Sequence, residues 1–258
     1  MTLRAILSAS AALLLSSAAA NAAQVAALIG GDTIAMVDTT QKRATGSVKV
    51  TGISGSLVGI DVRPADGLLY GLVDDGSVVT IAMDGKATVK SKLDTTLAKG
   101  VAATVDFNPM ADRLRVMGAD GTNLRANVDD GKVTKDGDHK YADADMHKGE
   151  KPNIVAGAYT NSVKGAKETT LFNIDGSIGG LIKQAPPNDG VLGAIGKLGI
   201  KADGVAFDIW SDGAGKNEAW LMVGDTLYSV DLATGKATEA AKISGVSGAV
   251  TDIAIIAM

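Results

Sequence analysis

Five short runs of β-forming residues, each closed by an aspartate, recur along this chain at nearly even intervals. They occupy residues 33–38, 79–84, 123–129, 170–175 and 226–231, and the closing residues Asp38, Asp84, Asp129, Asp175 and Asp231 lie 46, 45, 46 and 56 residues apart. Three of the runs leave through nearly the same turn: Gly85-Lys86-Ala87-Thr88, Gly131-Lys132-Val133-Thr134 and Gly235-Lys236-Ala237-Thr238. A fixed period of this length, carried by short alternating strands, is what a four-stranded propeller blade requires. A β-sandwich of similar strand count would not produce a fivefold repeat.

A second aspartate series lies upstream of the first: Asp61, Asp106, Asp145, Asp208 and Asp252. Asp61, Asp106 and Asp208 each precede their closing aspartate by 23 residues, whereas Asp145 precedes Asp175 by 30, which implies a longer connection in that unit. Asp252 has no downstream partner, and the first unit has no upstream strand. The economical solution is that the strand around Asp252 completes the first blade, which leaves no unpaired edge at the join. The expected fold is therefore all-β: a five-bladed β-propeller with four-stranded blades, the first closed by the C-terminal strand. In the second unit the strands read as residues 57–63, 68–73, 77–83 and 87–93, with Asp74-Asp75-Gly76 supplying a tight hairpin.

The start of the chain has a different character. Arg4 precedes an apolar run from Ala5 to Ala20, and Ala20-Asn21-Ala22 forms an A-x-A site. This is the pattern of a secretory signal peptide over residues 1–22, leaving 23–258 as one propeller domain and placing the protein in the periplasm or outside the cell. Serines interrupt the run, so it reads as a leader rather than a membrane span. The chain has no cysteine, which excludes disulfides, thiolate metal sites and a lipid-modified cysteine. Loss of Arg4 with the leader leaves 24 basic against 29 acidic side chains, a net charge of about −5. With the basic residues scattered, nucleic-acid binding has no electrostatic footprint. The mature chain is expected to be a monomer that does not insert into a membrane, with a small molecule or another protein as its partner.

The first strand of each propeller blade lines the central channel, so Asp61, Asp106, Asp145, Asp208 and Asp252 are candidates for a ring of carboxylates. Such a ring suits Ca²⁺ or another hard cation, or could serve a hydrolase. The alternative is that each aspartate accepts backbone N–H groups and ties neighbouring blades together. No cofactor beyond such a cation is indicated. The nucleophile elbow G-x-S-x-G and the zinc motif H-E-x-x-H are both absent. Residues 136–147 hold four aspartates and both histidines without EF-hand spacing, and read as an exposed acidic loop. Trp210 and Trp220 are the aromatics to inspect for a binding surface.

Several separated motifs also carry a family likeness. Asp106-Phe107-Asn108-Pro109, Ala111 to Val116, Asn123-Leu124-Arg125, Ala158 to Asn161, Pro186 to Gly190 and Gly204 to Asp208 follow one another in order. Together they resemble the exported bacterial family known as domain of unknown function 4394. The resemblance implies an exported, propeller-like domain and brings no activity with it. It directs attention to Arg113, Arg115, Asn123 and Arg125 as ligand-binding candidates, against a reading in which nearby aspartates pair them into a scaffold.

Overall fold

The computed structural model describes residues 24–257, so the expected leader lies outside the described residues. Twenty-one strands fall into five sheets. In chain order, β1 (Gln24–Ile29), β2 (Thr33–Asp38) and β3 (Arg43–Lys49) open the first blade. Blade 2 is β4 (Leu57–Val62), β5 (Leu69–Val73), β6 (Ser77–Ile81) and β7 (Ala87–Lys92). Blade 3 is β8 (Ala103–Asn108), β9 (Arg113–Gly118), β10 (Asn123–Ala126) and β11 (Val133–Lys135). A short β12 (Lys140–Tyr141) leads to blade 4, which contains β13 (Ile154–Tyr159), β14 (Leu171–Asp175), β15 (Gly180–Gln184) and β16 (Val191–Lys197). Blade 5 is β17 (Val205–Ser211), β18 (Asn217–Val223), β19 (Thr226–Val230) and β20 (Ala237–Lys242). The last strand, β21 (Val250–Ala257), returns to pair antiparallel with β1, with Ala27 opposite Ile253 and Leu28 opposite Asp252.

The expected five-bladed architecture and its closure are both present. The inner strands β21, β4, β8, β13 and β17 contact one another in that order and close the ring between β17 and β21. They are buried along most of their length, because each has a neighbouring blade on both faces. The outer strands β3, β7 and β20 are mostly exposed. Lys49, Lys90, Lys92 and Lys242 lie on these edges, where charge discourages pairing with another chain.

The core is divided among the joints between blades. One apolar cluster sets Leu28 and Ile34 of blade 1 against Leu57 and Ile60 of blade 2, and another sets Tyr70 and Leu72 against Phe107 and Leu114. Three further clusters fill the joints between blades 3 and 4, 4 and 5, and 5 and 1. A blade buries its faces only against its neighbours, so stability depends on completing the ring.

Blade 4 departs from the regular plan. After β11 the chain crosses from the outer edge of blade 3 and lays β12 parallel to β16, giving blade 4 a fifth strand. Only then does it return to the channel as β13. Asp145 lies on this detour, between β12 and β13 and so ahead of the inner strand, and its 30-residue spacing from Asp175 reflects that position.

Candidate functional site in the channel and at its mouth

Asp61, Asp106, Asp208 and Asp252 sit on the inner strands β4, β8, β17 and β21, and all four are buried. Asp61, Asp208 and Asp252 each accept the N–H of the following residue through Oδ1. The second contact crosses to the next blade. Asp252 Oδ2 accepts Ile60 N–H at 2.9 Å, Asp61 Oδ2 accepts Phe107 N–H at 2.6 Å, and Asp208 Oδ2 accepts Ile255 N–H at 2.7 Å. Asp106 accepts Tyr159 N–H through Oδ1 at 2.9 Å. Four of the five joints around the ring are thus clasped by a carboxylate.

The joint between blades 4 and 5 lacks this device. The inner strand of blade 4, β13, reads Ile-Val-Ala-Gly-Ala-Tyr and carries no aspartate to reach across. Asparagines take over at the end of the strands, where Asn161 N–H donates to Asn217 Oδ1 and Asn217 Nδ2 donates to Asn161 Oδ1. The expectation that Asp145 belongs to the ring is corrected here. It lies beyond β12, where its carboxylate accepts His147 N–H and Ala194 N–H and so braces the outer part of blade 4. The irregular spacing to Asp175 was the sign that Asp145 is no true repeat of Asp61.

One carboxylate oxygen from each of Asp61, Asp106 and Asp208 lies within 4.8 Å of the other two. Burial pushes all four carboxyls up from the ordinary carboxylate range, Asp208 to about 6. The charge of Asp208 adds to the shift at Asp61, and that of Asp61 to the shift at Asp106. Converging carboxylates removed from water either hold protons or require a positive charge among them.

The predicted ligand-binding residues divide in two. Arg115 is 1% exposed and Asn123 fully buried, and they belong to one network at the joint between blades 3 and 4. Arg115 donates to Tyr159 Oη, Asn123 Oδ1, Asp136 Oδ2 and Asn188 Oδ1. Arg125 donates to both oxygens of the same Asp136, at 2.6 and 2.9 Å. Arg113 stands apart and donates to the carbonyls of Ala111 and Asp112. The geometry is that of a paired scaffold. Sequence reasoning missed Asp136, Asn188 and, at the joint between blades 2 and 3, Arg63. The last forms two-pronged contacts with Asp112 and Asp129, which hold its pKa above the usual guanidinium value. Asn188 belongs to the Pro186–Gly190 motif, which was the available signal.

Two other readings change. Residues 136–147 are not simply an exposed acidic loop: Asp136 is buried between two arginines, and His139 is 7% exposed with no hydrogen-bond partner for either ring nitrogen among the described residues. Burial, then the charge of Arg115, pushes His139 down to about 4. Trp210 and Trp220 pack against the core between blades 5 and 1 and do not form an exposed platform.

At the end of the channel where the inner strands begin, all five blades surround a cavity of about 580 Å³. Leu57, Ala103, Ile154, Val205 and Val250, the first residues of β4, β8, β13, β17 and β21, lie around it. Its wall is largely apolar, and the strand rise places Asp106, three residues beyond Ala103, roughly 10 Å deeper. A second cavity of about 800 Å³ adjoins it between blades 2 and 3, and the two share Ser56, Val58 and residues 101–103. Among the described residues no helix is long and apolar enough to cross a membrane.

Comparison with known proteins gives a family match without an activity. The profile of a domain of unknown function, DUF4394, matches residues 33–254. No curated protein matches the chain. Among solved structures, a protein of unknown function from Bacteroides thetaiotaomicron is 15% identical with a TM-score of 0.51, covering 84% of this chain and 57% of its own. A protein of unknown function from Bacteroides caccae is 12% identical with a TM-score of 0.44, over 84% of this chain and 72% of its own. An auxiliary nutrient binding protein from Bacteroides thetaiotaomicron is 15% identical with a TM-score of 0.44, over 64% of this chain and 41% of its own. At these identities the likeness concerns the fold alone.

Proposed function

This chain belongs to the DUF4394 family of domains of unknown function, and from that premise we propose that it is an exported binding module whose ligand site is the mouth of the propeller channel. One observation carries the reading. The starts of all five inner strands converge on a concave, largely apolar cavity of about 580 Å³, within the size range of small-molecule sites. Each blade contributes the paired start of its inner strand to the wall, so that part of the site is held by the ring itself.

Amide chemical-shift mapping with a panel of small apolar fragments tests the site. Shifts are expected to concentrate at the first residues of β4, β8, β13, β17 and β21. Ala102→Arg, an exposed position shared by both cavities, should abolish them without changing the thermal melt, whereas Met83→Arg, at the β6–β7 turn, should leave them intact. Shifts clustered at the β6–β7 turn, or none at all, would overturn the reading. Export is tested separately, by an intact mass of the secreted chain corresponding to cleavage after Ala22.

A second reading is favoured by one distance. The three carboxylate oxygens within 4.8 Å of one another match the separation of two ligands on a single Ca²⁺, up to about 5 Å. In this reading Asp61, Asp106 and Asp208 hold a hard cation, with Asp252 beside them and Asp145 outside the site. Melting in EDTA and then with added Ca²⁺ or Tb³⁺ decides it. A rise of several degrees with the cation supports the site, and superimposable melts exclude it.

A further inference from the structure

The cavity between blades 2 and 3 differs in chemistry from the mouth it adjoins. Its wall includes Val58, Leu72, Leu93 and Val116, while its rim carries Asp74, Asp75 and Lys99. Asp75 is already engaged, accepting Ser77 N–H and pairing with Lys92. Asp74 and Lys99 are exposed, and neither side chain has an ion-pair or hydrogen-bond partner among the described residues. The Asp74 carboxylate lies against Gly55, where any Cβ would collide with it. The rim thus presents one uncommitted negative and one uncommitted positive group beside an apolar wall.

The connection from β7 to β8 borders the same cavity. It is tied at one end by Asp94, whose N–H donates to Gly131 O and whose carboxylate accepts Val133 N–H, and at the other by Ala119 N–H donating to Ala102 O. Between these ties the backbone makes, among the described residues, only the internal bond from Val101 N–H to Ala98 O. Leu97 and Val101 rest on Gly118, and Thr96 rests on Gly76. A Cβ at either glycine would meet these side chains closely, so the two glycines let the segment lie close over the joint.

We propose that this chamber binds a small zwitterion with an apolar body, of the size and chemistry of a short apolar peptide. Asp74 receives its ammonium group, Lys99 its carboxylate, and the half-buried Val58, Leu97 and Val101 its side chains. A singly charged ligand would leave one rim group unmatched, and a neutral one would leave both. The volume of about 800 Å³ accommodates a dipeptide with room for water. The proposal rests on the reading of this face as the ligand-binding face, and adds the class of ligand.

Calorimetric titration with leucyl-leucine tests it, alongside the peptide acetylated at its amine, amidated at its carboxylate, or blocked at both ends. The free dipeptide is expected to bind, and blocking either end should weaken it about tenfold, the order expected for one charged hydrogen bond. Asp74→Asn should erase the penalty for acetylation alone, and Lys99→Met the penalty for amidation alone. Equal binding of free and doubly blocked peptide would refute recognition of the charged ends. If no peptide binds while apolar fragments still shift the mouth amides, this inference fails and the binding face stands. If neither binds, both fail.

Discussion

Acidification isolates what the channel carboxylates do. The folded protein holds Asp208 at about 6 against an ordinary 3.8, so between those values the native state keeps a proton that the unfolded chain releases. Stability from this group is therefore greatest in acid and declines as pH rises through about 6. The difference of roughly two pH units corresponds to about 3 kcal/mol. His139 acts in the opposite sense. Its pKa falls from 6.5 to about 4, so stability is lost as pH drops through that interval, by about 3 kcal/mol. The two contributions nearly cancel. Asp61, Asp106 and Asp252 are also raised, so wild-type protein should still melt higher at pH 5 than at pH 7. The assay compares melting temperatures of wild type, Asp208→Asn and His139→Gln from pH 4 to 7 in EDTA. For a domain of this size about 3 kcal/mol amounts to roughly 6–12 °C. The gap between wild type and Asp208→Asn should therefore shrink by that much as pH rises from 4 to 7, while His139→Gln should gain more on acidification than wild type. A gap that stays constant within about 2 °C would refute the argument.

Other outcomes follow from the joints. Asp136→Ala leaves two arginines beside an emptied partner site, one of them Arg115 at 1% exposure, and should cost about 3–5 kcal/mol in denaturant unfolding. Asp252→Ala strips Ile60 and Ile253 of their acceptor and should destabilise by about 1–3 kcal/mol. Gly131→Ala places a methyl group against the Lys92 carbonyl at a φ of 75° and should lower the midpoint by more than 1 kcal/mol. A chain lacking β21 leaves the joint between blades 5 and 1 open, and circular dichroism should show no cooperative melt.

The repeat was legible in the residues because every blade solves the same local problem. Short strands, turn aspartates and positive-φ glycines recur wherever a hairpin must close, and these are local demands. The four strands of blade 2 fall within two residues of their expected limits for this reason. Closure by β21 was legible too, since an incomplete first unit and a surplus last strand leave only one economical arrangement. Blade 4 was not, because β12 adds to a sheet edge that comes into being some fifty residues later in the chain. What each charged group does was likewise undetermined. Asp61 and Asp145 both lie near apolar residues in short strand-like runs, yet one lines the channel and the other braces an outer edge. Arg115 and Arg113 are two residues apart on one strand, and one is buried among four partners while the other grips its own turn. The chain by itself determined the blades, whose strands and turns are local. The tertiary structure decided which side chains meet at the joints, because those meetings depend on the packing of blades whose partners are distant in sequence.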